Sequence, residues 1–93
     1  MSTLHTVNKP GQVMELCIRA LASGDTVLLI EDAVYELLSS TQRLKSIPGG
    51  CLVCVMDIDA KARGVEITAP FETISYERFV SLCVDHEKVL SWF

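Results

Sequence analysis

The chain reads as an α/β protein whose mainly parallel sheet is covered by helices on both faces. Two observations predict this. Short β-branched runs alternate along the chain with helix-like amphipathic stretches. The runs at residues 26–30 and 51–56 are apolar throughout, the pattern of strands buried on both faces rather than half-exposed. Right-handed crossovers between parallel neighbours follow from that arrangement.

The elements fall in order. Residues 3–7 form a short first strand, broken by Pro10 and Gly11, with Asn8 placed as a helix N-cap. Over residues 12–22 the apolar side chains Val13, Cys17, Ala20 and Leu21 line one side, with Met14 and Ile18 beside them. Gln12, Glu15 and Arg19 take the other side, so this is an amphipathic helix with a wide apolar stripe. Ser23, Gly24 and Asp25 end it, Gly24 serving as the C-terminal cap. The buried strand at 26–30 follows. Asp32 then caps a second helix over residues 33–39, with Glu31 adding negative charge at its start. Residues 40–46 fit more than one state, and Pro48-Gly49-Gly50 is a turn. After the strand at 51–56, residues 57–63 form a short helix or turn closed by Gly64. A brief strand at 73–75 leads to Ser75 as N-cap of a helix over 76–85, with Phe79, Leu82 and Cys83 inward. Residues 88–92 form the last strand. No repeat or linker interrupts the chain, so residues 1–93 are expected to be one small domain.

Composition narrows the function classes. Apolar residues make up 49% of 93 positions. So small a chain has little interior, and part of that surface should be covered by a partner. Net charge is −4 and the basic residues are scattered, which argues against a nucleic-acid footprint. No apolar run approaches membrane-spanning length and no secretory pattern opens the chain, so a cytoplasmic location is expected. In that setting the four cysteines are expected to be free thiols.

Each chemistry-bearing residue has a plain reading beside it. Cys51 and Cys54 have C-x-x-C spacing, but residues three apart on a strand face opposite ways and cannot share a disulfide or a metal. Both read as core residues, and so does Cys83. His5 and His86 lie at opposite ends of the chain, and no ligand set for zinc is seen. The glycine patterns that cradle phosphates are absent, so no nucleotide cofactor is expected. Glu31 and Asp32 follow a buried strand, where an acid–base pair could sit, yet helix capping explains both. His5, inside the first strand, reads as a packed, hydrogen-bonded histidine. Cys17, near the middle of the apolar stripe, reads by itself as buried and inert. It becomes reachable only if that face opens at a subunit interface.

Four segments carry a resemblance: residues 4–10 (LHTVNKP), residues 27–35 (VLLIEDAVY), residues 59–64 (DAKARG) and Ser91-Trp92-Phe93. They resemble the DsrH/TusB family, small subunits of DsrEFH/TusBCD-type sulfur-relay complexes. The resemblance implies a small three-layer α/β sandwich of DsrE/F/H-like, flavodoxin-like topology. It implies work as a persulfide carrier within a complex rather than as a stand-alone enzyme. The partners it implies are homologous DsrE/TusD-like and DsrF/TusC-like subunits, in a heterohexamer, and a downstream acceptor of the DsrC/TusE type. Sulfur would go to 2-thiouridine in tRNA or to dissimilatory sulfur oxidation. Some members carry a cysteine in the first helix, and Cys17 matches it, which makes Cys17 the candidate persulfide carrier. Ala33 stands where a glycine is more usual, and the segment after Asn8 is shorter than in close relatives. The rival expectation is an interaction or scaffold subunit, or a stand-alone homo-oligomer, whose thiols are all structural.

Overall fold

The structure, a computed structural model, describes residues 2–39, 41–68 and 70–93. Five strands form one sheet in the order β4-β3-β2-β1-β5, and every pair is parallel. They are β1 (Thr3–Val7), β2 (Thr26–Leu29), β3 (Leu52–Met56), β4 (Glu72–Ile74) and β5 (Lys88–Trp92). β1 to β4 step outward in one direction and β5 returns to the free side of β1, whereas flavodoxin itself runs β2-β1-β3-β4-β5.

Register sorts the side chains onto two faces. Val7 lies beside Leu29, and Leu29 beside Val55, on one face. α1 (Gln12–Ala20), a 3₁₀ turn (Glu31–Tyr35), α3 (Thr41–Lys45) and α4 (Asp57–Ala62) supply Met14, Cys17, Ala33, Val34, Leu44 and Ala60 to its cover. The other face carries Leu4, Leu28, Cys54, Met56 and Ile74, packed against Leu82, Phe79 and Cys83 of α5 (Tyr76–Asp85). A single helix is thin cover. Val80 and Val84 on its outer side, and Val89, Leu90 and Phe93 at the β5 edge, remain exposed.

The helix starts show where local pattern and tertiary structure part. Ser75 caps α5 as expected, its Oγ accepting the Arg78 N–H at 3.1 Å. Asn8 does not cap α1. The N-cap is Gly11 at φ 90°, a left-handed conformation that suits glycine, and its N–H donates instead to Oε1 of Glu36 at 2.6 Å. Glu36 opens α2 (Glu36–Ser39), is fully buried, and also accepts from Arg43 Nη1 at 2.6 Å. A carboxylate distant in sequence thus does the work expected of a local cap. Leu21 rather than Gly24 is the C-cap of α1, and Gly24, at φ 91°, forms the turn into β2. In the stretch 40–46, Thr41–Lys45 is helical and Ser40 lies outside the described residues.

Candidate functional site

Helical periodicity turns Met14 and Cys17 of α1 onto the sheet, while Glu15 and Arg19 pair on the outer surface at 3.9 Å. Cys17 is completely buried. Burial first, then the nearby negative charge of Asp25 and the neighbouring Cys51 thiol, pushes its thiol up to about 12. Cys54 is sealed on the opposite face, its thiol raised to about 11 by burial first and Glu72 second. Both are protonated at neutral pH and neither is a ready nucleophile in the closed fold.

Cys51 and Cys83 are only partly buried. For Cys51 this corrects the core reading. It stands one residue before β3, where the chain is still climbing out of the 48–50 turn, so it misses the sheet interior. Its S–H donates to the Ala22 carbonyl at 3.2 Å, and its thiol is raised by burial and by Asp25. Cys51 also lines a cavity of about 680 Å³ between the α3–β3 connection and the segment entering β4.

The most connected polar group in the interior is one that linear pattern did not single out. Asp25, read only as part of a helix stop, is buried and gathers three donors. Its Oδ1 accepts the Thr3 N–H at 3.0 Å, and its Oδ2 accepts the Ala22 N–H at 3.1 Å and contacts His5 Nε2 at 2.8 Å. On the far side of the ring, Trp92 Nε1–H donates to His5 Nδ1 at 3.1 Å. Indole nitrogen can only donate, so Nδ1 must accept and the ring proton sits on Nε2, facing Asp25. The rings of His5 and Trp92 also stack at 6.2 Å. These contacts hold the Asp25 carboxyl below its ordinary value despite burial. His5 is thus the packed, hydrogen-bonded histidine that its place in β1 suggested. Asp25 and Trp92 gave no linear signal because they lie 20 and 87 positions from it.

At the other end of the sheet, Glu31 and Asp32 do not cap a helix. Asp32 lies inside the 3₁₀ turn and pairs with Arg63 at 2.9 Å, while the Glu31 N–H donates to Asp59 Oδ2 at 3.0 Å. Arg63 also reaches the Asp59 carboxylate at 3.7 Å, so these acids tie the turn to α4. Among the described residues no group of three or more His, Cys, Asp and Glu side chains could hold a metal ion.

With this geometry in view, the comparisons are decisive for family. The model described as "DsrH like protein" matches residues 10–89. The chain belongs to the DsrH family. Protein TusB of Cronobacter sakazakii is 30% identical over 94 residues, covering 96% of this chain and 99% of that protein. Protein TusB of Yersinia pestis (strain Pestoides F) is 31% identical over 78 residues, covering 81% and 82%. Among solved structures, the ychN protein of E. coli superposes with a TM-score of 0.72 at 14% identity, covering 98% of this chain and 97% of that one. Protein Tm0979 of Thermotoga maritima gives 0.64 at 24% identity, covering 94% and 95%. At those identities the two structures speak for the fold alone. The DsrH-family chain therefore carries its first-helix cysteine on the covered face of the sheet, beside Asp25.

Proposed function

We propose that this DsrH-family chain is a subunit of a cytoplasmic sulfur-relay complex that handles sulfane sulfur as cysteine persulfide. The observation that carries the reading is the family match over residues 10–89, together with TusB relatives that span nearly the whole chain. The thin cover on one sheet face supports it. On and beside α5 and β5, Tyr76, Val84 and Phe93 are each more than two-thirds exposed, at 69%, 78% and 73%. Homologous DsrE/TusD-like and DsrF/TusC-like subunits are the partners that would cover such surface, and a DsrC/TusE-type protein would receive the sulfur. Both destinations, tRNA 2-thiouridine and dissimilatory sulfur oxidation, are compatible with the fold.

The geometry favours a scaffold contribution from the closed subunit. A thiol pushed to about 12 is ionised in only ~1 molecule in 10⁵ at neutral pH, and the completely buried Cys17 offers no path to a donor. A carrier role for Cys17 needs α1 to lift from the sheet. The second reading keeps that role, supported by the first-helix position of Cys17 and by its closeness to Cys51. The test is to assemble the chain with its homologous subunits, add a persulfide donor, and follow sulfur by differential alkylation and peptide-resolved mass spectrometry. Sulfur flow that survives Cys17→Ser supports the scaffold role, and flow that stops supports the carrier. If the chain forms no complex with those subunits, the sulfur-relay reading itself fails.

A further inference from the structure

We infer that His5 is a proton-operated latch on β5: a proton added at its Nδ1 evicts the Trp92 indole and frees the end of this edge strand. The inference stands independently of the sulfur-relay reading. It rests on the contacts that run from Asp25 through the buried imidazole to Trp92.

In the closed state the neutral ring uses both nitrogens. Nε2–H donates to Asp25 Oδ2 at 2.8 Å, and Nδ1 accepts the Trp92 Nε1–H at 3.1 Å. Imidazolium has two N–H donors and no acceptor. A proton at Nδ1 therefore points at the indole N–H, donor against donor, and one partner of the ring has to give way. Asp25 does not. Despite burial, the bonds from His5, Ala22 and Thr3 hold its carboxyl below the ordinary 3.8, so it stays an anion, and its bond to imidazolium is charge-assisted. Trp92 is the weaker partner. It is only half-buried and closes an edge strand that pairs with β1 alone. The ring centroids, 6.2 Å apart, are at the limit of cation–π reach, so stacking does not hold the indole against the new charge.

The surroundings leave the charge change to His5. Among the described residues Asp25 is the one charged group paired with the ring. Cys17 from α1 and Cys51 at the entry to β3 lie near Asp25, and burial first, then Asp25, raises both thiols, so both stay neutral. Glu15 and Arg19 pair on the outer surface of α1, β2 brings no ionisable side chain, and Lys88 of β5 is exposed beside Thr3. Imidazole alone among unperturbed side chains changes charge between about pH 5 and 8. With the indole out, β5 loses its side-chain anchor at Trp92, whose carbonyl accepts the Asn8 N–H at 3.3 Å. Acid thus reaches the exposed apolar edge of Val89, Leu90 and Phe93 through one buried ring.

The test uses the full chain, labelled with ¹⁵N and titrated by NMR from about pH 8 to 5. Trp92 is the only tryptophan, so its indole N–H gives one signal. Imidazole ¹⁵N shifts report charge and tautomer, and His86→Gln separates the two histidines. The expected result is a proton gained at His5 Nδ1, with the indole proton moving upfield and the Asn8 amide shifting at the same midpoint. His5→Gln mimics the neutral ring, its carbonyl toward Trp92 and its NH₂ toward Asp25, and should hold the indole signal constant with pH. A His5 that stays neutral down to about pH 5, an indole signal that stays put as His5 charges, or a fixed Asn8 amide overturns the inference. An indole shift that persists in His5→Gln overturns it too. Should His5→Gln fail to fold, the His5, Trp92 and Asn8 midpoints of the unaltered chain decide: agreement supports the latch, and disagreement removes it.

Discussion

Replacing Asp25 with asparagine should be among the most damaging near-isosteric changes available to this chain. The carboxylate accepts from Thr3 N–H, Ala22 N–H and His5 Nε2–H. An asparagine can keep its oxygen toward Thr3, but its NH₂ then faces the Ala22 and His5 donors. His5 cannot answer by moving its proton to Nδ1, because the Trp92 N–H already occupies that nitrogen. The buried His5 donor loses its acceptor at about 1–3 kcal/mol, and the N–H of the exposed Ala22, which water can reach, adds up to about 1 kcal/mol, for a total of about 1–4 kcal/mol. A domain of this size has roughly 5–14 kcal/mol of stability, so the loss is a large share. Urea unfolding followed by Trp92 fluorescence is the assay, since Trp92 is the only tryptophan and touches His5 directly. The midpoint should fall with the slope unchanged. A loss below about 1 kcal/mol, within the range of surface substitutions, would refute the tautomer argument.

The same carboxylate sets an acid limit. Its folded value lies below the ordinary 3.8, so its contribution is fully present above 3.8 and is lost as pH falls through the folded value. Urea midpoints measured across that range should show an acid loss that Asp25→Asn lacks. Cys17 should resist alkylation in the native protein. Moving from 9.0 to about 12 cuts its thiolate population at a given pH by roughly a thousandfold. Iodoacetamide labelling at Cys51 and Cys17 in one sample checks this, and equal rates would mean that α1 opens freely. Glu36→Ala should cost about 2–4 kcal/mol by orphaning the Gly11 N–H and the Arg43 guanidinium, read as a lower thermal midpoint. Arg63→Ala, a partly exposed pairing, should cost no more than about 1 kcal/mol by the same measurement.

Much of the fold was legible in the chain itself. The alternation of apolar runs and amphipathic stretches located β1, β2, β3, α1, α5 and β5 within a residue or two, and the uniform apolarity of 26–30 and 51–56 announced a parallel sheet. Ser75 was readable as a cap because its acceptor and donor lie three residues apart. Cys17 was legible as inward-facing for the same reason: helical period alone decides which side of a helix a residue takes. Where the partner came from elsewhere in the chain, pattern failed. Glu31 and Asp32 looked like caps, but the Asp32 carboxylate accepts from Arg63, and the Glu31 backbone N–H donates to Asp59. Asn8 lost its capping role to Glu36, and Cys51 fell outside the core because β3 starts one residue later than its apolar run. Period reports how a residue faces within its own element. Which side chain waits across the gap depends on sheet register, and register alone brings Trp92 alongside Val7, close enough to His5 to fix the proton that Asp25 receives.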